Sequence, residues 1–178
     1  LSANDSDDLT LTAFSDSSWA TPVEVHMTSE RSITGYALKL GGSTVSWGVR
    51  KQRTLSTSST QAELQAAAEC AREVIWCRAI LEELGYGDNK ATTLYEDNTG
   101  AIALSENPIN HNKNKHIAQR YLLLRDFVVE GELTLQYLRT EDMIADILTK
   151  ATTTQIFQKL KPRLLGHWIQ KKHGGAVL

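Results

Sequence analysis

Four acidic residues stand where an α/β chain can gather them: Asp16, Glu63, Asp97 and Asp146. Asp16 follows one predicted strand and Asp97 follows another. If those strands lie side by side and parallel, both aspartates emerge at one sheet end, where open α/β sheets form their sites. Glu63 falls in the first turn of a predicted long helix and Asp146 inside a late one, and both can point back at that end. Carboxylates held so close repel one another unless a cation neutralises them. Hard oxygen ligands select Mg²⁺ or Mn²⁺, and two such ions about 4 Å apart suit in-line displacement at phosphorus. Each residue also has a duller reading. Glu63 could close a capping box with Thr60, and Asp146 could pair with Lys150 one turn on. Asp97 could cap the helix after it, and Asp16 could belong to a serine-rich turn. Taken singly, the duller reading is the stronger one for each.

The elements that must position these residues follow from periodicity and breakers. Leu9–Phe14 alternates and reads as a strand, with Asp16 after its end. Ser32–Leu40 and Thr44–Val49 flank Gly41-Gly42, a hairpin signal. A helix from about Thr60 to Leu84 carries Leu64, Ala67, Ala68, Ala71, Ile75 and Leu81 at helical spacing, with Gly85 placed to end it. Thr92–Glu96 is a short strand, Gly100–Asn107 a short helix closed by Pro108, and Lys115–Glu130 a helix ended by Gly131. Leu133–Leu138 alternates as a strand. Glu141–Lys150 and Thr154–Leu165 read as helices. Three strands without intervening helices suggest an antiparallel meander, and the later strands, reached through helices, suggest parallel additions to the same sheet. We expect a flexible lead-in over 1–8, one domain over 9–165, and a C-terminal tail over 166–178.

Composition narrows the class. The chain has 178 residues, 41% of them apolar, enough for one domain with a core. No stretch approaches the roughly 20 apolar residues of a membrane span, and residues 1–15 lack the pattern of a secretory signal. Cys70 and Cys77 share one predicted helix about 10 Å apart, too far for a disulfide, and read as reduced residues of an intracellular protein. No histidine pair offers a zinc site. The net charge of −2 argues against non-specific coating of nucleic acid. Charge is nevertheless segregated: residues 31–62 hold Arg31, Lys39, Arg50, Lys51 and Arg53 and no acid, whereas 63–106 carry nine acids against three bases. A basic surface beside an acidic cluster suits a phosphate backbone led to a metal site, with ordinary mixed surface charge as the alternative.

The local sequences around the four acids shift the balance. Phe14-Ser15-Asp16-Ser17-Ser18-Trp19-Ala20 is followed by Arg31-Ser32-Ile33-Thr34-Gly35-Tyr36, Gly41-Gly42, Val45-Ser46-Trp47 and Lys51-Gln52. Then come Ser58-Ser59-Thr60-Gln61-Ala62-Glu63-Leu64, Tyr95-Glu96-Asp97-Asn98 with Ala101-Ile102-Ala103-Leu104, and Asn107-Pro108. Lys115-His116-Ile117 with Arg120-Tyr121 follows, and last Thr140-Glu141-Asp142 with Ala145-Asp146-Ile147-Leu148-Thr149-Lys150. In order and nearly in spacing, these blocks resemble the ribonuclease H domain of copia-type LTR retrotransposon Gag-Pol polyproteins. The resemblance covers residues 14–150. It departs from the family in a longer loop after Trp19, in Gln61 and Leu64 for the commoner glutamate and tyrosine, and in Glu96 for a cysteine or small residue. Strand alternation should point Glu96 away from the site.

The resemblance implies a ribonuclease H-like α/β fold: a mixed five-stranded sheet, three antiparallel strands plus parallel additions, with helices packed on it. It implies that Asp16, Glu63, Asp97 and Asp146 are catalytic metal ligands for two Mg²⁺ ions, with Mn²⁺ as substitute. The expected activity is hydrolysis of the RNA strand of RNA–DNA hybrids during reverse transcription. One ion would activate water and the other stabilise the leaving oxygen, giving 5′-phosphate and 3′-hydroxyl ends. Ser58, Ser59 and Thr60 are candidates to bind the hybrid backbone, with plain helix capping as the alternative, and Arg50, Lys51 and Arg53 are candidate phosphate contacts. Cellular ribonucleases H carry a histidine between the last strand and the last ligand-bearing helix; here only Arg139-Thr140-Glu141 occupies that stretch. His111 and His116 receive no role. The expected partner in cis is a reverse transcriptase domain on the N-terminal side of a parent polyprotein, and the expected location is cytoplasmic virus-like particles, with no membrane. The alternatives are a weak or silent hybrid-binding connection domain, and a domesticated retrotransposon-derived protein.

Overall fold

The computed structural model describes residues 9–19, 31–106 and 115–166, with backbone alone for 115–121. The lead-in, the loop after Trp19, Asn107-Pro108, His111, the side chain of His116 and the tail beyond Gly166 lie outside the described residues. Strand β1 (Leu11–Ser18) pairs antiparallel with β2 (Ile33–Leu40), which pairs antiparallel with β3 (Ser43–Lys51). Gly41 and Gly42 turn that second hairpin at φ 54° and 81°, the conformation that two-residue hairpins favour and glycine adopts freely. Strands β4 (Thr92–Glu96) and β5 (Leu133–Tyr137) add in parallel, giving the order β3-β2-β1-β4-β5. The expected sheet is therefore the observed one.

One face of the sheet is covered by α1 (Ser59–Glu83), with α2 (Thr99–Glu106) and α3 (Lys115–Val129) beside it. Leu11, Ala13, Leu38, Leu94, Leu133 and Leu135 pack there against Leu64, Ala67, Cys70, Ala71 and Val74. The run Ala66-Ala67-Ala68 is fully buried; small side chains let α1 lie close on the strands. The opposite face is smaller. There Ala37 and Phe14 meet Ile144, just before α4 (Asp146–Thr149), Leu148 on α4 and Leu160 on α5 (Thr154–Leu165). Cys70 and Cys77 are both free thiols. Among the described residues no helix is long and apolar enough to cross a membrane.

Most element ends fall within two residues of expectation, and two elements depart further. Strand β1 runs four residues further, because Asp16, Ser17 and Ser18 pair with Gly35, Thr34 and Ile33; cross-strand pairing overrides the turn preference of a serine run. The helix expected over Glu141–Lys150 is instead a 3₁₀ turn, Thr140–Asp142, and the short α4. Met143 breaks it with an extended backbone, φ −71° and ψ 102°. Met143, Ile144 and Ala145 are all essentially buried. A continuous helix, at about 100° per residue, would fan these three side chains around its circumference.

Candidate active site

Strand register brings the acids together. Asp16 lies inside β1, opposite Gly35 of β2, and Asp97 follows the end of the parallel β4. A Cβ added to Gly35 would sit 2.6 Å from Thr149 Cγ2 and 3.0 Å from Leu148 Cβ. Only glycine lets α4 approach this closely, and that approach lays Asp146 and Thr149 over Asp16. Asp16, Glu63 and Asp97 each offer a carboxylate oxygen within 4.8 Å of the others. Asp146 is outside that triplet and joins it through Lys150, whose Nζ lies 2.9 Å from Asp146 Oδ1 and 3.4 Å from Asp16 Oδ1.

Local capping is done by other residues, so the duller readings of two acids fall away. Ser58, not Thr60, caps α1 by accepting from the Gln61 N–H. Gln61 Oε1 accepts from the Thr57 N–H at 2.7 Å, leaving Glu63 out of the cap. Asn98 Oδ1 accepts from the Ala101 N–H at 3.0 Å and caps α2, leaving Asp97 to accept from Thr140 Oγ1 at 2.7 Å. Asp146 does pair with Lys150 as the i,i+4 reading expected.

The electrostatics are those of a site short of positive charge. Asp16 is fully buried, and Glu63 and Asp146 nearly so. Burial pushes Asp16 up to about 6 against the pull of Lys150 and a hydrogen bond from Thr149, with Asp146 adding to the rise. Burial first, then the charge of Asp16, pushes Glu63 to about 8. Ser17 works against that rise, although its hydroxyl meets no hydrogen-bond geometry. Asp16 Oδ1, Glu63 Oε2 and Asp146 Oδ1 are buried without a hydrogen-bond partner. Lys150 is the ionic partner of two of those oxygens, Asp16 Oδ1 and Asp146 Oδ1, and leaves Glu63 Oε2 without one. Clustered buried carboxylates with one ammonium between them fit a divalent cation bound through oxygen.

The nucleic-acid candidates lie at the same sheet end. Ser18, Ile33 and Lys51 are in register across β1, β2 and β3, which places Lys51 about 10 Å from the end of β1. Arg50 is exposed and reaches Glu69 at 3.5 Å. Lys51, Arg53, Ser58 and Ser59 are exposed and Thr60 half-buried. An open depression of about 520 Å³ adjoins the cluster, lined by Tyr137, Arg139, Thr140, Glu141, Asp146 and Ile156.

Three contributors were not foreseen. Gln52, buried, donates to Thr34 Oγ1 at 3.1 Å and the Ala62 carbonyl at 2.9 Å, and accepts from Ser56. It ties the hairpin to the residue before Glu63. Thr149 donates to Asp16 Oδ2. Alternation should turn Glu96 away from the site, but it points into the α1 face, within electrostatic reach of Glu63, Asp97 and Asp16. It is fully buried, accepts from Ser15 Oγ at 2.8 Å, and is pushed well up by burial and then by the charge of Glu63. Only the packed helix α1 gives its burial; the β-strand period does not.

With this geometry established, the chain was compared with known proteins. No family model matches it. It is 35% identical over 156 residues to the retrovirus-related Pol polyproteins from transposons RE1 and RE2 of Arabidopsis thaliana, covering 88% of this chain and 10% of each polyprotein. It is 35% identical over 133 residues to the Pol polyprotein from transposon TNT 1-94 of Nicotiana tabacum, covering 75% of this chain and 10% of that one. The chain thus spans about a tenth of the length of these relatives. Among solved structures it resembles RNase H1 of the halophilic archaeon Halobacterium salinarum, with TM-score 0.53, 14% identity, and 79% and 94% of the two chains covered. The N-terminal RNase H domain of a Mycobacterium tuberculosis protein gives TM-score 0.56 at 8% identity over 85% and 98%. LC11-RNase H1 in complex with an RNA/DNA hybrid gives 0.54 at 10% identity over 79% and 94%. At such identities the structural likeness is one of fold. The chain is a homologue of one segment of the retrovirus-related Pol polyproteins of transposons, and it has the ribonuclease H fold.

Proposed function

We propose that this domain is an endoribonuclease that cuts the RNA strand of RNA–DNA hybrids, using two divalent ions and leaving 5′-phosphate and 3′-hydroxyl ends. The observation that carries this reading is the meeting of carboxylate oxygens of Asp16, Glu63 and Asp97 within 4.8 Å of one another at one sheet end, with Asp146 beside them. Asp16, Glu63, Asp97 and Asp146 would hold Mg²⁺, or Mn²⁺ in its place. Bound there, the ions supply charge neutralisation at phosphorus and a more acidic water. The chain's own part is to hold the four carboxylates: Thr149 orients Asp16, Thr140 orients Asp97, and the Gln52 bonds fix the start of α1 that carries Glu63. Ser58, Ser59, Thr60, Arg50, Lys51 and Arg53 would receive the hybrid's phosphates on the same side. That a protein of this fold was solved with an RNA/DNA hybrid supports the substrate class. The Pol polyprotein relatives support a larger parent polyprotein, in which we place a reverse transcriptase domain as partner in cis and cytoplasmic virus-like particles as the setting.

One observation favours the silent, hybrid-binding alternative: Lys150 already stands between Asp16 and Asp146. The two readings separate on incubating the protein with Mg²⁺ or Mn²⁺ and a hybrid labelled on its RNA strand. Cleavage by the parent, reduced roughly hundredfold or more in Asp97→Asn, supports the nuclease. Uncut hybrid, or an Asp97→Asn variant as fast as the parent, rejects it.

A further inference from the structure

The acidic cluster contains a cation of its own. Among the described residues, Lys150 makes the only ion pairs to the four carboxylates, and it touches two of them, Asp16 and Asp146. Glu63 and Asp97 form no ion pair. Lys150 also differs from its neighbours in freedom. Its backbone is fixed, with its N–H donating to the Asp146 carbonyl at 3.1 Å where α4 ends in an extended conformation. Its side chain is 39% exposed, against 0% for Asp16 and 8% for Asp146. A four-carbon stem anchored at the helix end can swing its ammonium to water without disturbing the fold. The oxygens it touches, Asp16 Oδ1 and Asp146 Oδ1, are both buried. The ammonium therefore lowers the mutual repulsion of the two carboxylates by occupying oxygens that a divalent cation would need.

Resting on the metal-binding reading above, we propose that Lys150 is a displaceable counter-ion. It holds Asp16 and Asp146 together in the metal-free protein, and its side chain must leave for a divalent cation to bind between them. Glu63 and Asp97, which no lysine or arginine pairs with among the described residues, offer oxygens that a cation can take together with the other oxygen of Asp16 without that exchange. The two ion positions are then unequal, and the weaker is set by competition with an intramolecular charge. Lys150 acts here as a positioning residue.

The test is a calorimetric titration of the full chain with Mn²⁺, with bound ions counted by electron paramagnetic resonance. The parent should bind in two classes. Lys150→Met should tighten the weaker class about tenfold, the order of effect a unit charge a few ångströms away exerts near solvent, and leave the tighter class unchanged. Lys150→Arg, which keeps the charge, should restore the parent pattern, a rescue that a purely structural role would not require. Lys150→Gln serves as a second neutral variant should Lys150→Met fold poorly. Tight binding in the parent with no change of the weaker class in either neutral variant overturns the counter-ion role and leaves the metal reading standing. No bound Mn²⁺ in parent or variants overturns both.

Discussion

Where β4 and β5 begin, Arg78 is the centre of a closed set of bonds; at the other end of the sheet, Asp16 is the centre of an open one. Arg78 donates from Nε to Glu132 Oε2 at 2.8 Å, and from Nη1 to the Lys90 carbonyl at 2.6 Å and Thr92 Oγ1 at 3.2 Å. It lines a depression of about 520 Å³ with Leu9, Tyr86 and Glu132. The depression beside Asp146 has the same volume. Size does not distinguish the two ends; satisfaction does. A guanidinium matched to its acceptors ties loops together. Carboxylates crowded against carboxylates, with oxygens left over, hold a ligand or cost stability.

Substitution should pull the two ends apart. Asp16→Asn should lower hybrid cleavage about a hundredfold to a thousandfold while raising the metal-free melting temperature at neutral pH, because a buried charge short of partners is removed. Arg78→Met should do the reverse, costing about 2–3 kcal/mol in denaturant unfolding with Mn²⁺ affinity unchanged. If both variants simply destabilise, the contrast between the ends is broken.

Acidity offers a second lever. Asp16 and Glu63 stand at about 6 and about 8, above the 3.8 and 4.5 of free carboxyls. The folded metal-free protein therefore keeps protons that the unfolded chain has already released. Its stability should fall as pH rises from the free carboxyl range to about 8, with Glu63 contributing more of the fall than Asp16. Saturating Mg²⁺ should remove that fall by taking the place of those protons. Thermal melts across this window, in chelator and in Mg²⁺, check the sign.

Smaller effects sharpen how the site is held. Gly35→Ala would drive a methyl against Thr149 and Leu148, costing about 1–3 kcal/mol and weakening cleavage by moving α4 off Asp16. Ser58→Ala removes the cap of α1 and should cost about 1 kcal/mol, with hybrid KM rising more than kcat falls if Ser58 also meets the backbone.

What the sequence revealed divides along similar lines. Helices α1, α3 and α5 were legible because their stops and caps are local: Gly85, Gly131, and Thr153 accepting from Ile156. The mixed sense of the sheet, three antiparallel strands and then parallel additions, followed from which strands lack an intervening helix, while its order came from the structure. The four carboxylates became legible through the motif blocks around them and not through spacing, since each had a sufficient local use. The length of β1 was hidden because Asp16 pairs with Gly35, a cross-strand preference. The split before Asp146 was hidden because burial of Met143, Ile144 and Ala145 is a tertiary demand. The link of Thr149 to Asp16 spans 133 positions, so no local pattern carries it, and Lys150 appeared only as a partner of Asp146.

The most direct test of the metal centre is anomalous diffraction from crystals soaked in Mn²⁺. The expected result is density bonded to Asp16, shared with Glu63 and Asp97 on one side and with Asp146 on the other, and lost in Asp16→Asn. Peaks confined to surface carboxylates such as Asp88, with none touching Asp16, would contradict it.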